Sequence, residues 1–439
     1  MKKKITITAL LVLSLLFGAL YHTDILPVRD CNVVFLILAV AVIQLRKPEL
    51  GIYCSMIALP FANFRNVYVL TLFTFAAFLL KEKRLKISGI DYGVLLFLFI
   101  VLIASIIAFP LISSFKSFYY YVSAVMIMFI IAKSFDKTKL NILLLCFLLS
   151  ATVVSLIGIY QYFTLEMSPQ LWLWADRSTN AHLRVRVYST LDNPNILAEY
   201  LVIACSIGTG LFLQCGTAWK KRIVAVATLI NVMCLLATFS RGGWLGLALA
   251  CFIILYYEER KLIPVILTLG AMLLVFLPVE VMERIKSIAN ISDTANAYRF
   301  IIWSASLRMF KDSWLIGNGY GTFNQIYPGY SATTVNFVHA HNVFLNIAVE
   351  TGIWGLLMFL FNVAVTCKAG LVTARNAIDQ YYRRLSYTST AALSGLLSHG
   401  LVDHVLYDAR IIFMFWMLIG IIFAAGNEDY FGDSLGNDS

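Results

Sequence analysis

The sequence predicts an all-α, polytopic transmembrane helical bundle of about 12–14 helices, with a large extracytoplasmic loop bearing short helices. Three observations predict it: a scarcity of charge, a succession of long apolar runs, and basic residues confined to alternate connections. Hydrophobic residues make up 60% of the 439 and charged residues 13%, with a mean hydropathy of +0.81. A soluble chain carries roughly 25% charge, so much of a solvated surface is missing. That excludes a cytosolic enzyme, a disordered chain and a disulfide scaffold. The net charge of +10 does not point to nucleic acid, because the basic residues sit in short connections between apolar runs.

Fourteen apolar segments run along the chain, at 5–21, 31–45, 49–63, 66–80, 92–113, 118–135, 139–163, 195–214, 223–239, 243–257, 262–279, 341–366, 386–404 and 410–425. Five of them fall below the usual span of about 17 residues. The start, Met1-Lys2-Lys3-Lys4 before Ile5–Leu20, resembles a signal peptide, but no small-residue cleavage site follows Tyr21 and a retained helix is expected. With the N-terminus in the cytoplasm and strict alternation, the inner connections hold 21 of the 34 Lys and Arg residues. The short outer ones hold only Arg29, Arg65, Lys116, Arg241 and Arg410. This is the positive-inside asymmetry. The expected organisation is N-terminal transmembrane helices over 1–163, an outer loop at 164–194, transmembrane helices over 195–279, a large outer loop at 280–340, C-terminal helices over 341–426 and a cytoplasmic tail at 427–439.

The eight cysteines form no CxxC and have no His at ligand spacing, which makes them small buried apolar residues. The two long outer loops are different, since loops of that length usually work. The first carries Trp172, Trp174, Arg177, His182, Arg184 and Arg186; the second carries Arg284, Arg299, Trp303, Arg308 and His339. Aromatics there serve equally well as interfacial anchors, but outer arginines run against the inside rule.

Four motifs stand out. Asp192-Asn193-Pro194-Asn195 opens a helix, and Ser240-Arg241-Gly242-Gly243 joins two apolar runs, its glycines permitting a tight turn. Arg299 lies in an amphipathic stretch upstream of Gly317-Asn318-Gly319-Tyr320-Gly321, a turn-rich run without the Lys-Ser/Thr of a nucleotide loop. His339-Ala340-His341-Asn342 precedes Gly352 and Gly355. A histidine in the first turn of a helix faces the positive dipole end and stays neutral, as a general base requires. As an isolated residue His341 would be an interfacial cap, and the glycines a packing face. Arginines beside it suggest an anionic substrate, because the guanidinium fork matches phosphate oxygens. Asp403-His404 offers an arginine partner, and no carboxylate or histidine cluster suggests a metal site.

These motifs, spread over about 190–355, resemble the O-antigen ligase and O-antigen polymerase superfamily of bacterial inner-membrane glycosyltransferases. The His-Asn, nine residues, Gly-x-x-Gly run from His341 to Gly355 is similar to the ligase signature without a gap. The resemblance implies a multi-pass protein of the bacterial inner membrane with its site on the outer face. It implies a glycan passed from undecaprenyl diphosphate to a hydroxyl of a glycan, lipid or protein acceptor, without metal, nucleotide or other cofactor, and with inversion if displacement is direct. It makes His341 the residue that activates the hydroxyl, and Arg241 and Arg299 the diphosphate ligands. Arg184, Arg186, Arg308, His339 and Asp403 are further candidates. The nearest alternative is a polymerase of the same superfamily. A polysaccharide or lipid transporter fits less well, since its ionisable residues would lie at the midplane. The partners expected are the lipid-linked donor, the acceptor and the bilayer, with no nucleic acid.

Reporter fusions test the sidedness. A fusion after Lys81 should report a cytoplasmic position and one within Ser287–Thr294 an outer one; the reverse at either site overturns the placement.

Overall fold

The computed structural model describes residues 47–82, 89–165, 185–273, 279–288, 290, 294–331 and 335–432. The segments expected at 5–21 and 31–45, the N-terminal leader question, Arg184 and most of the first outer loop lie outside them. The described residues are helical without a strand, in two compact units, 1–85 and 86–439.

The first unit contributes α1 (Glu49–Ala58) and α2 (Phe64–Lys81). Lys81 lies 3.9 Å from Glu49, and Thr71 and Thr74 bond back to Val67 and Leu70 carbonyls, which satisfies hydroxyls in an apolar helix.

The second unit holds α3 (Gly89–Ile107), α4 (Leu111–Ser134), α5 (Lys137–Thr164), α6 (Pro194–Gln214), α7 (Ala218–Ala237), α8 (Arg241–Glu259) and α9 (Leu262–Leu273). The outer-loop helices α10 (Val279–Lys286), α11 (Thr294–Asp312) and α12 (Phe323–Ile326) follow, then α13 (Val343–Asn376), α14 (Gln380–His399) and α15 (Ala409–Gly432). Seven described helices are long and apolar enough to cross a membrane: α2 to α6, α13, and α15 through Gly426. The protein is a multi-pass membrane protein. That count covers only the described residues, which leave out the expected 5–21 and 31–45 segments. The 49–63 segment is a helix of only 10 residues, and α7, α8 and α14, at 20, 19 and 20 residues, are long enough but carry charged or polar residues.

The helix α14 shows why. Fifteen of its residues are buried, but many are Ser, Thr, Tyr, Ala or Gly. It packs against α6, α8, α13 and α15, so it needs small size more than apolarity. A Cβ at Gly246 would lie 2.6 Å from the Gly395 carbonyl oxygen, and one at Gly395 equally close to that of Gly246, so α8 and α14 touch backbone to backbone. At the end away from the outer loop, Lys137 pairs with Asp379 at 2.7 Å and Arg384 with Glu258 at 2.5 Å.

The outer loop has its own core of Ile302, Ala305, Met309, Phe323, Tyr327, Ala340 and Val349. It is fastened to α13 through a break at Gly352, whose φ of 70° and ψ of −169° fall in a region essentially reserved for glycine. The break frees backbone groups that the loop then satisfies. Asn318 and Gly319 N–H groups donate to the Val349 and Glu350 carbonyls at 2.9 and 3.1 Å, and Ile353 N–H donates to the Trp314 carbonyl at 2.8 Å. The Glu350 carboxylate accepts from Phe323 N–H at 3.2 Å. Gly317 and Gly319, at φ of 84° and 110°, shape the loop side of this clasp. Gly352 is therefore a backbone junction rather than the helix-packing residue its spacing suggested.

Replacing Gly352 should be costly on two counts. An alanine Cβ would meet the Leu315 carbonyl oxygen at 2.5 Å and hold an unfavourable φ. Gly352→Ala is expected to lower unfolding stability by about 2 kcal/mol or more, measured by denaturation in detergent, with loss of the loop's protection in hydrogen exchange. Native stability with unchanged exchange would show that the junction tolerates a side chain.

Candidate active site

His341 does not open the helix, as the spacing had suggested; it lies just before it. Asn342 is the N-cap, its Oδ1 accepting from Leu345 N–H at 2.9 Å, while His341 has a φ of 47°. The dipole argument for a neutral ring gives way to a direct partner: Nδ1 of His341 lies 3.0 Å from Oδ1 of Asp403. The corner is pinned from both sides, by Asn342 Nδ2 donating to the Leu401 carbonyl and Val343 N–H to that of Gly400. All four described non-glycine residues with positive φ (Ser189, Asp192, Phe239 and His341) lie in connections leading into site helices. Strain of this kind gathers where function holds it.

The two histidines have different hydrogen-bonding roles. His339 Nδ1 accepts from the His341 backbone N–H at 3.2 Å and stands 3.9 Å from Asp403, too far to donate to it. A neutral His339 therefore carries its proton on Nε2. In His341 the carboxylate at Nδ1 favours a proton there, leaving Nε2 with a lone pair. The rings are 4.2 Å apart between centroids.

Asp403 is buried in the turn between α14 and α15. Its second oxygen accepts from Asn195 Nδ2 at 2.8 Å, and Asn195 Oδ1 accepts from Arg186 Nη2 at 2.7 Å. Asp403 thus reaches an arginine through an amide and serves a histidine directly, a refinement of its expected role. Burial pushes its carboxyl upward, but the charge and hydrogen bond of His341, with His339 and His399 behind, hold it well below the usual carboxylate range.

Around this carboxylate the fold gathers Arg186, Arg241, Arg284 and Arg299. Each donates to a backbone carbonyl: Arg186 to Thr238 at 2.9 Å, Arg241 to Ser287 at 2.7 Å, Arg284 to Phe239 at 3.0 Å and Arg299 to Val402 at 2.8 Å. Asn296 links two of these positions, accepting from Arg299 and donating to the Ser287 carbonyl. Burial, then the charges of Arg284 and Arg241, drive Arg186 well below the usual guanidinium range. A guanidinium does not give up its proton, so the buried charges stay positive and crowded together. Gly242 and Gly243 do not make the turn before α8, which Phe239 makes at φ 49°. They give room: a Cβ on Gly242 would strike the His399 ring, and one on Gly243 the Ala198 methyl.

Of the sequence candidates, the structure brings together His341, His339, Asp403, Arg241, Arg299 and Arg186. Arg308 is exposed and bonds to Ser304 on its own helix and to the Tyr330 carbonyl. Arg184 lies outside the described residues. Sequence reasoning assigned no role to Arg284, Asn195, Glu199 or His399. Asn195 carried a signal within the Asp-Asn-Pro-Asn motif, and Arg284 as one of the arginines of the second long loop. The sequence suggested no metal cluster, but two groups have the spacing for one, His339 with His341 and Asp403, and Glu199 with His399 and Asp403. Hydrogen bonding accounts for the first without an ion.

The class defined so far is a multi-pass helical membrane protein with an arginine-rich loop site beside a histidine–carboxylate pair. Residues 226–360 match the family described as O-antigen ligase, a similarity in keeping with the superfamily the motifs resemble. An uncharacterized protein of Haemophilus influenzae is 27% identical in an alignment of 158 positions that covers 31% of this chain and 40% of that protein's length. The matched segment contains Arg241, Arg284, Arg299, His339 and His341; Arg186, Asn195 and Asp403 come from either side of it.

Two histidines outside the membrane helices set a pH dependence. Burial, with the charge of His341, holds His339 well below 6.5, and burial takes His404 down to about 3. Both fold neutral, whereas the unfolded chain protonates them near pH 6.5, so stability falls as pH drops below that value. Asp403, already ionised in both states above about pH 5, adds no slope there. The melting temperature in detergent should fall from pH 7 to pH 5, and His404→Gln should flatten the decline. An identical slope in the variant would remove His404 from this account.

Proposed function

We propose that the protein is a glycosyltransferase of the inner membrane that moves a glycan from undecaprenyl diphosphate to an acceptor hydroxyl on the outer face. The observation that carries this reading is the His341–Asp403 pair at 3.0 Å beside a buried arginine cluster. His341 is the general base. Nε2 takes the acceptor's O–H proton as that oxygen forms its bond to the anomeric carbon. The bond from that carbon to the diphosphate oxygen breaks, and its electron pair stays on the diphosphate. The negative charge develops where Arg241 and Arg299, with Arg186 and Arg284, are already oriented in a site of low dielectric. Asp403 holds the imidazole in the productive tautomer and stabilises the imidazolium that forms. Direct displacement from the face opposite the diphosphate inverts the anomeric centre.

Purified full-length protein in nanodiscs, given undecaprenyl-diphosphate glycan, should release lipid diphosphate. His341→Ala should lower turnover by about 10²–10⁴-fold with donor binding kept. Asp403→Asn should approach that loss, through the tautomer. His339→Ala should be milder. Arg241→Lys and Arg299→Lys should weaken donor binding, since the fork geometry is lost while the charge remains. Full turnover in both histidine variants removes base catalysis by these residues, and wild-type donor binding in both lysine variants removes the arginines from the site.

A further inference from the structure

A cleft lies against the histidine pair, and the transfer chemistry proposed above makes no use of it. Its cavity is about 220 Å³, and His339, His404 and Tyr407 form one wall. That is smaller than a drug-sized site and suits a ligand of about one ring. Ser113 and Ser117 of α4, Asn324 and Gln325 at the exposed end of α12, Asn346 and Glu350 of α13, and the rings of Tyr120 and Tyr320 supply most of its polar and aromatic surface. Among the described residues no lysine or arginine lines it. The glycine clasp builds the floor: Ser114 Oγ bonds to the Tyr320 carbonyl, and Gly321, at φ 70°, lies so close to Ser117 that a Cβ would sit 2.5 Å from its hydroxyl.

Resting on the glycosyltransferase reading, we infer that this cleft is the acceptor subsite and that it takes a single neutral sugar ring, which presents the hydroxyl to be glycosylated. The chemistry of the lining selects this occupant. Hydroxyl and amide side chains supply both donors and acceptors for sugar hydroxyls, while tyrosine rings offer flat faces for the C–H side of a pyranose. An acyl chain would leave those hydroxyls and amides desolvated without partners. A phosphate or sugar acid would find a carboxylate, Glu350, and no basic side chain except histidine. The diphosphate and the acceptor therefore occupy separate compartments: the four arginines bind one, and the cleft, which none of them lines, binds the other. His339 stands at the junction, lining the cleft while its ring touches that of His341. With its Nδ1 committed to the His341 backbone N–H, its Nε2–H is available to donate to a sugar oxygen and steer the neighbouring hydroxyl toward His341. His339 is a positioning residue in this scheme.

Saturation-transfer NMR on the full chain in nanodiscs tests the proposal, with glucose, galactose, N-acetylglucosamine and rhamnose as probes. At least one should receive saturation from the wild type. Asn324→Trp, which fills the cleft from an exposed position, and Tyr407→Ala, which removes a wall, should each weaken that binding by about fivefold or more. Arg241→Lys should leave it unchanged, and inorganic pyrophosphate should not compete. The inference is overturned if no sugar binds, if both cleft variants bind as the wild type does, or if pyrophosphate displaces the sugar. Release of lipid diphosphate from the donor, followed on the same samples, separates the two readings. Donor turnover without sugar binding discards the cleft alone; sugar binding without any donor turnover discards the transferase and leaves a carbohydrate site.

Discussion

The carboxylate of Asp403 is the constraint on which the site depends. One oxygen faces His341 and the other accepts from Asn195, which in turn accepts from Arg186. A single buried anion thereby sets the orientation of the His341 ring and one edge of the arginine cluster. Either histidine role would lose its definition without it, since the proton on His341 Nδ1 has its reason in that oxygen. The carboxylate comes from the turn between α14 and α15, and the chain enters that turn from the most polar of the long helices. The close approach of α8 to α14 at Gly246 and Gly395 fixes the helix that presents it.

Buried like charges are costly, and the fold offsets part of that cost with carbonyl oxygens at the ends of helices and in turns. Thr238 and Phe239 close α7, Ser287 follows α10, and Val402 follows α14; each accepts from a different arginine. Carbonyl dipoles orient a guanidinium without neutralising it. The cluster stays net attractive to an anion in a way that four ion pairs with carboxylates would not. The same logic separates this end of the molecule from the other, where Lys137 and Arg384 are matched by Asp379 and Glu258.

Much of the fold was legible because membrane burial imposes long apolar runs, and α3 to α6, α13 and α15 follow them. Hydropathy located α14 only in part, as 386–404 against Gln380–His399, because its environment is other helices. In the site, Arg241, Arg299 and His341 were visible as motif positions. The Asp403–His341 bond joins residues 62 apart in sequence, and nothing in the local pattern of either reveals the other. Arg284 looked like any charged residue of a surface helix until Phe239 turned its carbonyl toward it. Gly352 read as a small packing residue because spacing alone does not disclose a positive φ. His341 illustrates the finer limit: one residue of helix boundary changed its electrostatic setting from a dipole to a carboxylate.

The break in α13 also changes what that helix is mechanically. Its 34 residues would make a rod of about 51 Å, far longer than the roughly 30 Å of a hydrocarbon core. The portion before Gly352 shares its backbone bonds with the 314–319 segment, so it travels with the outer layer, and only the remainder answers to the lipid. The 24 residues that follow Gly352 measure about 36 Å as a helix, close to the thickness of an apolar layer. The turns above the break, which end at the histidine corner, take their direction from the loop's backbone bonds.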